Sequence, residues 1–547
     1  MHRIRRRAHI AAIAVLLTVL AASGASAPAD KPASRPVTRP AGGDEAAEPA
    51  TKPVKTKAGI TLSRETTYIT GPLNDDGTVN YVEYLNNKYS KGVTPENNAA
   101  VLMLEAIGTE GALATKIRDE ALRRIGAATA PARGLYVSQK NYLSSRSELG
   151  EVTFWAFTAQ CDQTMDGPWS AEDYPLVADW LEVNKTALKR VISASRRAHF
   201  YVPHLCQEEP PAVVHMLMPA FGRCRSCAKA LVARAMLKWD SHDYRGAWAD
   251  LMAVRRLARL MGQAREGTTH ENGQLMEGSG TEAMLRLVTA DAIPAGDAKH
   301  LLADLTELGA FADINDSIAN LRFRLLDTVM LLSRGESLDG LAEKPKQRWA
   351  TEASVFDWNQ MLRRCNQYWD QYAACADKET YEKRRDAFRA FERRWDEYMD
   401  ELYELGDSRR ARQQAVANFA GSLERRAELF TKLLFSALLP TFRAHRSWHA
   451  RQTACGEMTL TATALAVHRA ETGKFPEKLA ELTPKLLEEV PTDPFTGKPL
   501  IYRRTAEGYV LYSVGPDLED DDGTEGEHPD EGDLVVRVPA AVEEKDE

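Results

Sequence analysis

Cysteine is scarce in this chain: Cys161, Cys206, Cys224, Cys227, Cys365, Cys375 and Cys455 are the seven among 547 residues. So few exclude a fold held together by disulfides. The odd number leaves at least one thiol unpaired within the chain. Basic clusters are scarce too. Arg3, Arg5, Arg6 and Arg7 stand among the first 27 residues with no acid beside them, and removing those residues takes the net charge from −8 to −12. Nothing that remains has the basic footprint of a nucleic-acid binder. The usual catalytic signatures are missing as well: there is no P-loop, no G-x-G-x-x-G and no G-x-S-x-G elbow. The marked apolar run, Ile10 to Leu20, is too short to make a good membrane span.

What is there begins with an address. MHRIRRRAH is a positive n-region, IAAIAVLLTVL an apolar h-region, and AASGASA offers small residues for cleavage after Ala25 or Ala27. Residues 1–27 therefore read as a secretory signal peptide, and the chain as exported to the periplasm or cell envelope of a bacterium, with no stable transmembrane anchor after cleavage. Residues 28–58 are rich in Pro and Ala. Such a segment buries too little apolar surface to offset its ordering entropy, so it is expected to be a disordered linker.

Residues 59–440 read as an irregular array of helices. Thr94 with Pro95 forms a helix-start signal before AAVLMLEAI, and Ser170-x-x-Asp173 forms another before a long helical pattern running to Phe200. CAKALVARAMLKWDSHDYRGAWADLMAVRRLARLMG, residues 227–262, predicts two helices meeting at Ser241-His242-Asp243, with Ala235 and Ala247 where they cross. It resembles a single tetratricopeptide-type hairpin, although an ordinary helical hairpin satisfies the pattern equally. Residues 354–405 carry Val355, Trp358, Leu362, Cys365, Trp369 and Tyr372 at heptad spacing, and after a break the spacing resumes from Tyr381 to Leu402. Two antiparallel helices with a wide aromatic seam are expected, the seam serving as core or as a ligand groove. A further helix is expected from Asp407 to Leu439, closed by Pro440, and another from Thr441 to Thr472 with Gly473 as its C-terminal stop.

The period then changes. PLIYRR and GYVLYSV alternate like strands around Thr505–Gly508, and DLVVRVP supplies a third. The fold class is therefore mainly α, with residues 441–539 forming a small α+β unit and 540–547 an acidic tail. Between the second and third strands, ten of the seventeen residues from Asp517 to Asp533 are acidic, broken by Gly523, Gly526 and Gly532. A hard cation takes about six to eight oxygen ligands on a loop able to curl around it. A solvated acidic linker is the competing reading.

The stretch HRAETGKFPEKLAEL, VPTDPFTGKPLIYRR, GYVLYSVGPDLEDDDG and GDLV resembles the C-terminal region of type II secretion major pseudopilins. The matching residues are Gly473, Phe475, Pro476, Pro491, Asp493, Pro494, Tyr502, Tyr512, Ser513, Gly515 and Asp517. The resemblance implies a long helix feeding a Tyr-rich hairpin and a loop that binds Ca²⁺ structurally. Asp517, Asp520, Asp522 and Asp533 are the metal ligands it implies. The family's N-terminal leader has no counterpart, and the helix feeding the sheet is internal. The whole chain also resembles large secreted bacterial proteins that end in such a unit, a likeness that brings no activity.

Two smaller patterns need weighing. Cys224-Arg-Ser-Cys227 lacks the following His of c-type haem attachment. It fits a local disulfide, inert thiols, a redox pair, or a zinc site drawing in His204, Cys206 and His215. His445 and His449 share a helix face at metal-binding spacing but lack the Glu of a zinc-protease motif. The expected function is a non-enzymatic interaction scaffold with protein partners on its helices. An exported hydrolase or thiol/metal enzyme, and a secretion-system component, are the alternatives.

Overall fold

A computed structural model describes residues 56, 59–146, 153–216, 221–263, 267–290, 293–309, 311, 314–334, 356–407, 422–528 and 531–539, with the backbone alone at 267–268, 314–319, 398–407, 433 and 437–448. The expected signal peptide, all of the linker but Thr56, and the acidic tail lie outside these residues. The chain is mainly α-helical, with a small three-stranded antiparallel sheet near its C-terminus, as the sequence predicts. Among the described residues no helix is long and apolar enough to cross a membrane.

The helices run, in order, α1 (Tyr81–Tyr89), α2 (Ala99–Ile107), α3 (Arg118–Arg124), α4 (Gln139–Ser144), α5 (Phe154–Gln163), α6 (Pro175–Val183), α7 (Lys185–Ser195), α8 (Gly222–Asp240), α9 (Tyr244–Gly262), α10 (Gly267–Ala290), α11 (Ala295–Leu308), α12 (Ile314–Ser333), α13 (Trp358–Ala376), α14 (Tyr381–Asp407) and α15 (Leu423–Thr472). Strands β1 (Ile501–Arg504), β2 (Tyr509–Ser513) and β3 (Leu534–Val538) follow. β2 is central, pairing Tyr502 with Leu511 on one side and Leu511 with Val536 on the other.

Both hairpins expected from the sequence form. α8 and α9 are joined at Ser241–Asp243, and the Asp243 carboxylate caps α9 by accepting from the Gly246 N–H at 2.9 Å. α13 and α14 carry the heptad residues. Trp358, Leu362, Cys365, Trp369, Tyr372, Phe388, Phe391 and Trp395 are all buried, so the aromatic seam is core and not a groove. Val355 lies outside the described residues, as do the side chains of Tyr398 and Leu402.

Tertiary pairing moves three boundaries. α2 starts at Ala99, not at Pro95, because Asn98 is tied to a distant strand-like segment. Its Oδ1 accepts from Tyr201 N at 3.0 Å and its Nδ2 donates to Tyr201 O at 2.8 Å. The pattern after Ser170 is two helices, not one. Asn184 interrupts it by accepting from Val137 N at 2.8 Å and donating to Val137 O at 3.1 Å. Pro440 does not end a helix: α15 runs unbroken for 50 residues through it. A helix-interior proline costs about 3 kcal/mol. Packing on both sides of the proline outweighs that: Ala427, Phe430 and Phe435 are buried before it, and Ala454, Met458, Ala462 and Leu465 after it. Gly473 ends α15 in the left-handed conformation expected of it (φ 79°).

The buried side chains form two cores. One holds residues of α1, α12, α13 and α14 with the first half of α15. The other joins α2 to α11 with the second half of α15 and all three strands. The sheet thus packs on the same apolar body as the helical array. α14 reaches the C-terminal unit too: the Tyr381 ring meets Phe495 edge-on at 4.7 Å.

Candidate functional site in the acidic C-terminal loop

The loop between β2 and β3 is anchored at Asp493, in the Asp-Pro turn before β1. That carboxylate is 2% exposed. It accepts from Phe495 N at 2.8 Å, Ser513 Oγ at 3.0 Å and Val514 N at 3.1 Å. Three donors on one buried carboxylate fix the end of β2 against the turn. Gly515 then takes a positive φ of 73°, and added side-chain atoms there would run into the Gly532 carbonyl.

The four aspartates singled out by the resemblance take different roles. Asp517 Oδ2 accepts from Gly532 N at 2.5 Å and its Oδ1 from Glu519 N at 3.3 Å, which closes the loop on itself. Asp522 points to Arg503 on β1, with Nη1 to Oδ1 at 2.8 Å, and is 85% exposed. Asp520 Oδ1 accepts from the Tyr512 hydroxyl at 3.0 Å and from Asp522 N at 3.1 Å. Asp533 is 3% exposed. Its Oδ2 accepts from Gly523 N at 2.7 Å, while its Oδ1 is buried without a partner among the described residues. Burial pushes the Asp533 carboxyl above its ordinary range against the pull of the Gly523 and Asp521 backbone N–H groups, and the neighbouring Asp520 and Asp521 charges add to the rise. Burial, the Asp520 bond and the Asp520 charge push the Tyr512 hydroxyl up to about 12.

Negative charge therefore converges at Asp520, Asp521 and Asp533, while Asp517 and Asp522 are committed elsewhere. Among the described residues no group of three or more His, Cys, Asp or Glu side chains stands close enough to hold a metal ion. α14 braces the loop from outside, where Arg385 Nη1 donates to Pro516 O at 3.2 Å and Asp517 O at 3.0 Å.

The cysteines do not gather. No disulfide joins any of the seven, and Cys224 and Cys227 are fully buried in the first turns of α8. Burial pushes both thiols far up, the opposite of what a redox pair requires. Cys206 lies apart from them near the surface, its sulfur accepting from Ala212 N at 3.4 Å. His204 is buried, with its ring edge-on to Tyr89 at 6.2 Å. The His449 ring faces Phe311 at 6.3 Å, and the side chain of His445 lies outside the described residues.

A second polar centre had no motif to announce it. α10 is central to the helical array, yet Thr269, His270, Asn272, Gln274, Glu277 and Thr281 on it are buried. Glu277 Oε1 receives Arg255 Nε at 3.0 Å, Arg255 Nη2 at 2.7 Å and Arg259 Nη2 at 2.9 Å. Burial alone would raise the Glu277 carboxyl, but the two guanidiniums hold it below its ordinary range. Its Oε2 has no partner among the described residues. The available signal was glycine: Gly273 and Gly280 leave room that a side chain would take from the Ala258 carbonyl at 2.7 Å and Arg255 Cγ at 2.8 Å. Close helix approach of this kind hides a polar face from any apolar-stripe reading.

No family model, no curated protein and no solved structure matches this chain.

Proposed function

We propose that this chain is an exported, non-enzymatic interaction scaffold. Its helical array offers surfaces to protein partners, and its C-terminal unit is of the pseudopilin kind, stabilised by Ca²⁺ at the acidic loop. One observation carries the cation: Asp533 is 3% exposed, keeps one oxygen without a partner, and faces other carboxylates. A buried charge in that setting is costly unless something positive neutralises it. Asp533 would anchor the ion, and Asp520 and Asp521, which do not stand close enough to form a ready-made site with it, would close in on binding; Asp517 would shape the loop around it. Bound Ca²⁺ would supply charge neutralisation and a pin between β2 and β3. The scaffold reading rests on the array of helical hairpins, the buried inert thiols and the aromatic seam spent on packing.

The test uses the full chain, because the sheet shares its core with α2 to α11. Hydrogen exchange of the 515–534 segment is followed with millimolar Ca²⁺ and with chelator. A ligand at 100 times its Kd that binds only the folded loop adds about 2.7 kcal/mol. Slower exchange with Ca²⁺, lost in Asp533→Asn, is the expected result. Unchanged exchange in the native chain overturns the cation reading.

A further inference from the structure

Three helices end at one place on the surface. The last turns of α7, α9 and α11 surround a cavity of about 580 Å³, lined by Arg196, Arg197, Arg256, Arg259, Gln263 and Glu307 among others. Helix C-termini carry partial negative charge, and arginines beside them are ordinarily explained by that. Arg259 fits the explanation. Its Nη1 donates to Leu308 O at 3.0 Å and also to Gly309 O, and its Nη2 binds Glu277 at 2.9 Å. Both of its terminal nitrogens are engaged, by α11 and by the buried carboxylate.

The other three arginines have no close side-chain partner among the described residues, and one carboxylate, Glu307, lines the cavity beside them. Arg196 is exposed and makes no side-chain hydrogen bond or ion pair among the described residues. Arg256 reaches Asp304 only at 3.9 Å. Arg197 has Glu96 within electrostatic reach. Behind the cavity, Arg255 and Arg259 share the single carboxylate of Glu277, which leaves one buried positive charge in excess. The chain as a whole is acidic, at −8, so this concentration of guanidinium is local. Guanidinium forks match the geometry of carboxylate and phosphate oxygens. The cavity also has the volume of a small-molecule site.

We propose that the cavity at the converging ends of α7, α9 and α11 binds a small molecule bearing two or more oxyanion groups. Arg196, Arg197 and Arg256 grip it, and Arg259 stands fixed as the floor. Phosphate and carboxylate share this chemistry, so two probes separate them. Full-length protein is titrated calorimetrically with pyrophosphate and with citrate, at ionic strength held constant by sodium chloride. The variants are Arg196→Ala/Arg256→Gln, the charge-keeping Arg256→Lys, and Arg133→Ala as a control on an exposed arginine elsewhere (94% exposed).

The expected result is binding of at least one probe. It weakens about tenfold or more in the double variant, weakens less in Arg256→Lys, and is unchanged in Arg133→Ala. Preference for pyrophosphate assigns a phosphate-bearing ligand, and preference for citrate a polycarboxylate. Absence of heat with both probes overturns the proposal. So does equal binding by the native chain and the double variant, each shown to be folded by circular dichroism.

Discussion

Glu277 offers the sharpest test of how the helical array is held together. It is buried, and three guanidinium N–H groups converge on its Oε1 within 2.7–3.0 Å. The side chains of Arg255 and Glu277 are each 3% exposed, and that of Arg259 is 13% exposed. Glu277→Gln keeps the shape and an acceptor but removes the carboxylate that both guanidiniums share. Two buried cations then face each other with no counter-charge. Breaking a buried pair by removing one partner costs about 3–5 kcal/mol, because the remaining charge is left uncompensated. The triple variant Glu277→Met/Arg255→Met/Arg259→Met behaves differently. It removes all three charges of the cluster, so no buried charge is left uncompensated. Replacing a buried charge cluster as a whole by apolar side chains is often neutral or stabilising, so its cost should stay below about 1.5 kcal/mol. Urea unfolding followed by tryptophan fluorescence compares the two. The pH dependence supplies a second readout. The folded carboxyl lies below its unfolded value, so its contribution is present above that unfolded value, about 4.3, and disappears as pH falls through the folded one. Glu277→Gln should erase that part of the acid limb. If Glu277→Gln costs less than about 1 kcal/mol, the cluster is solvated and the argument fails.

Two further outcomes follow from the same kind of reasoning. Asp533 has its folded carboxyl raised, so the native state loses stability as pH rises from the unfolded value, about 3.9, through the folded one. In chelator at neutral pH, Asp533→Asn should therefore be more stable than the native chain; a less stable variant in denaturant titration refutes the assignment. The half-buried Cys206 should take up iodoacetamide well before Cys224, Cys227 and Cys365, which are fully buried and whose thiols burial pushes up. Mass spectrometry of the native protein showing Cys224 labelled as fast as Cys206 would contradict that order.

The sequence by itself determined whatever depends on neighbours along the chain. Heptad spacing from Trp358 onward, the Ser241–Asp243 turn, Gly473 and the alternation around Tyr502 and Tyr512 each act over a few residues, and each placed its element. The acidic run was legible as a concentration of charge for the same reason. Tertiary structure decided the rest. Asn98 sets where a helix starts and Asn184 interrupts one because of partners at Tyr201 and Val137, about 100 and 47 positions away. Pro440 stays inside a helix because packing before and after it outweighs the local penalty. The acidic loop divides its aspartates by direction, sending Asp522 to Arg503 and Asp517 to Gly532 while Asp533 turns inward. The polar face of α10 and the arginine cavity at the ends of three helices have no local signature. Glu277, Arg255 and Arg259 meet only when α9 and α10 pack, and Arg196 joins Arg256 only when α7 ends beside them. Charge placed by the meeting of helices leaves no period to read in the chain.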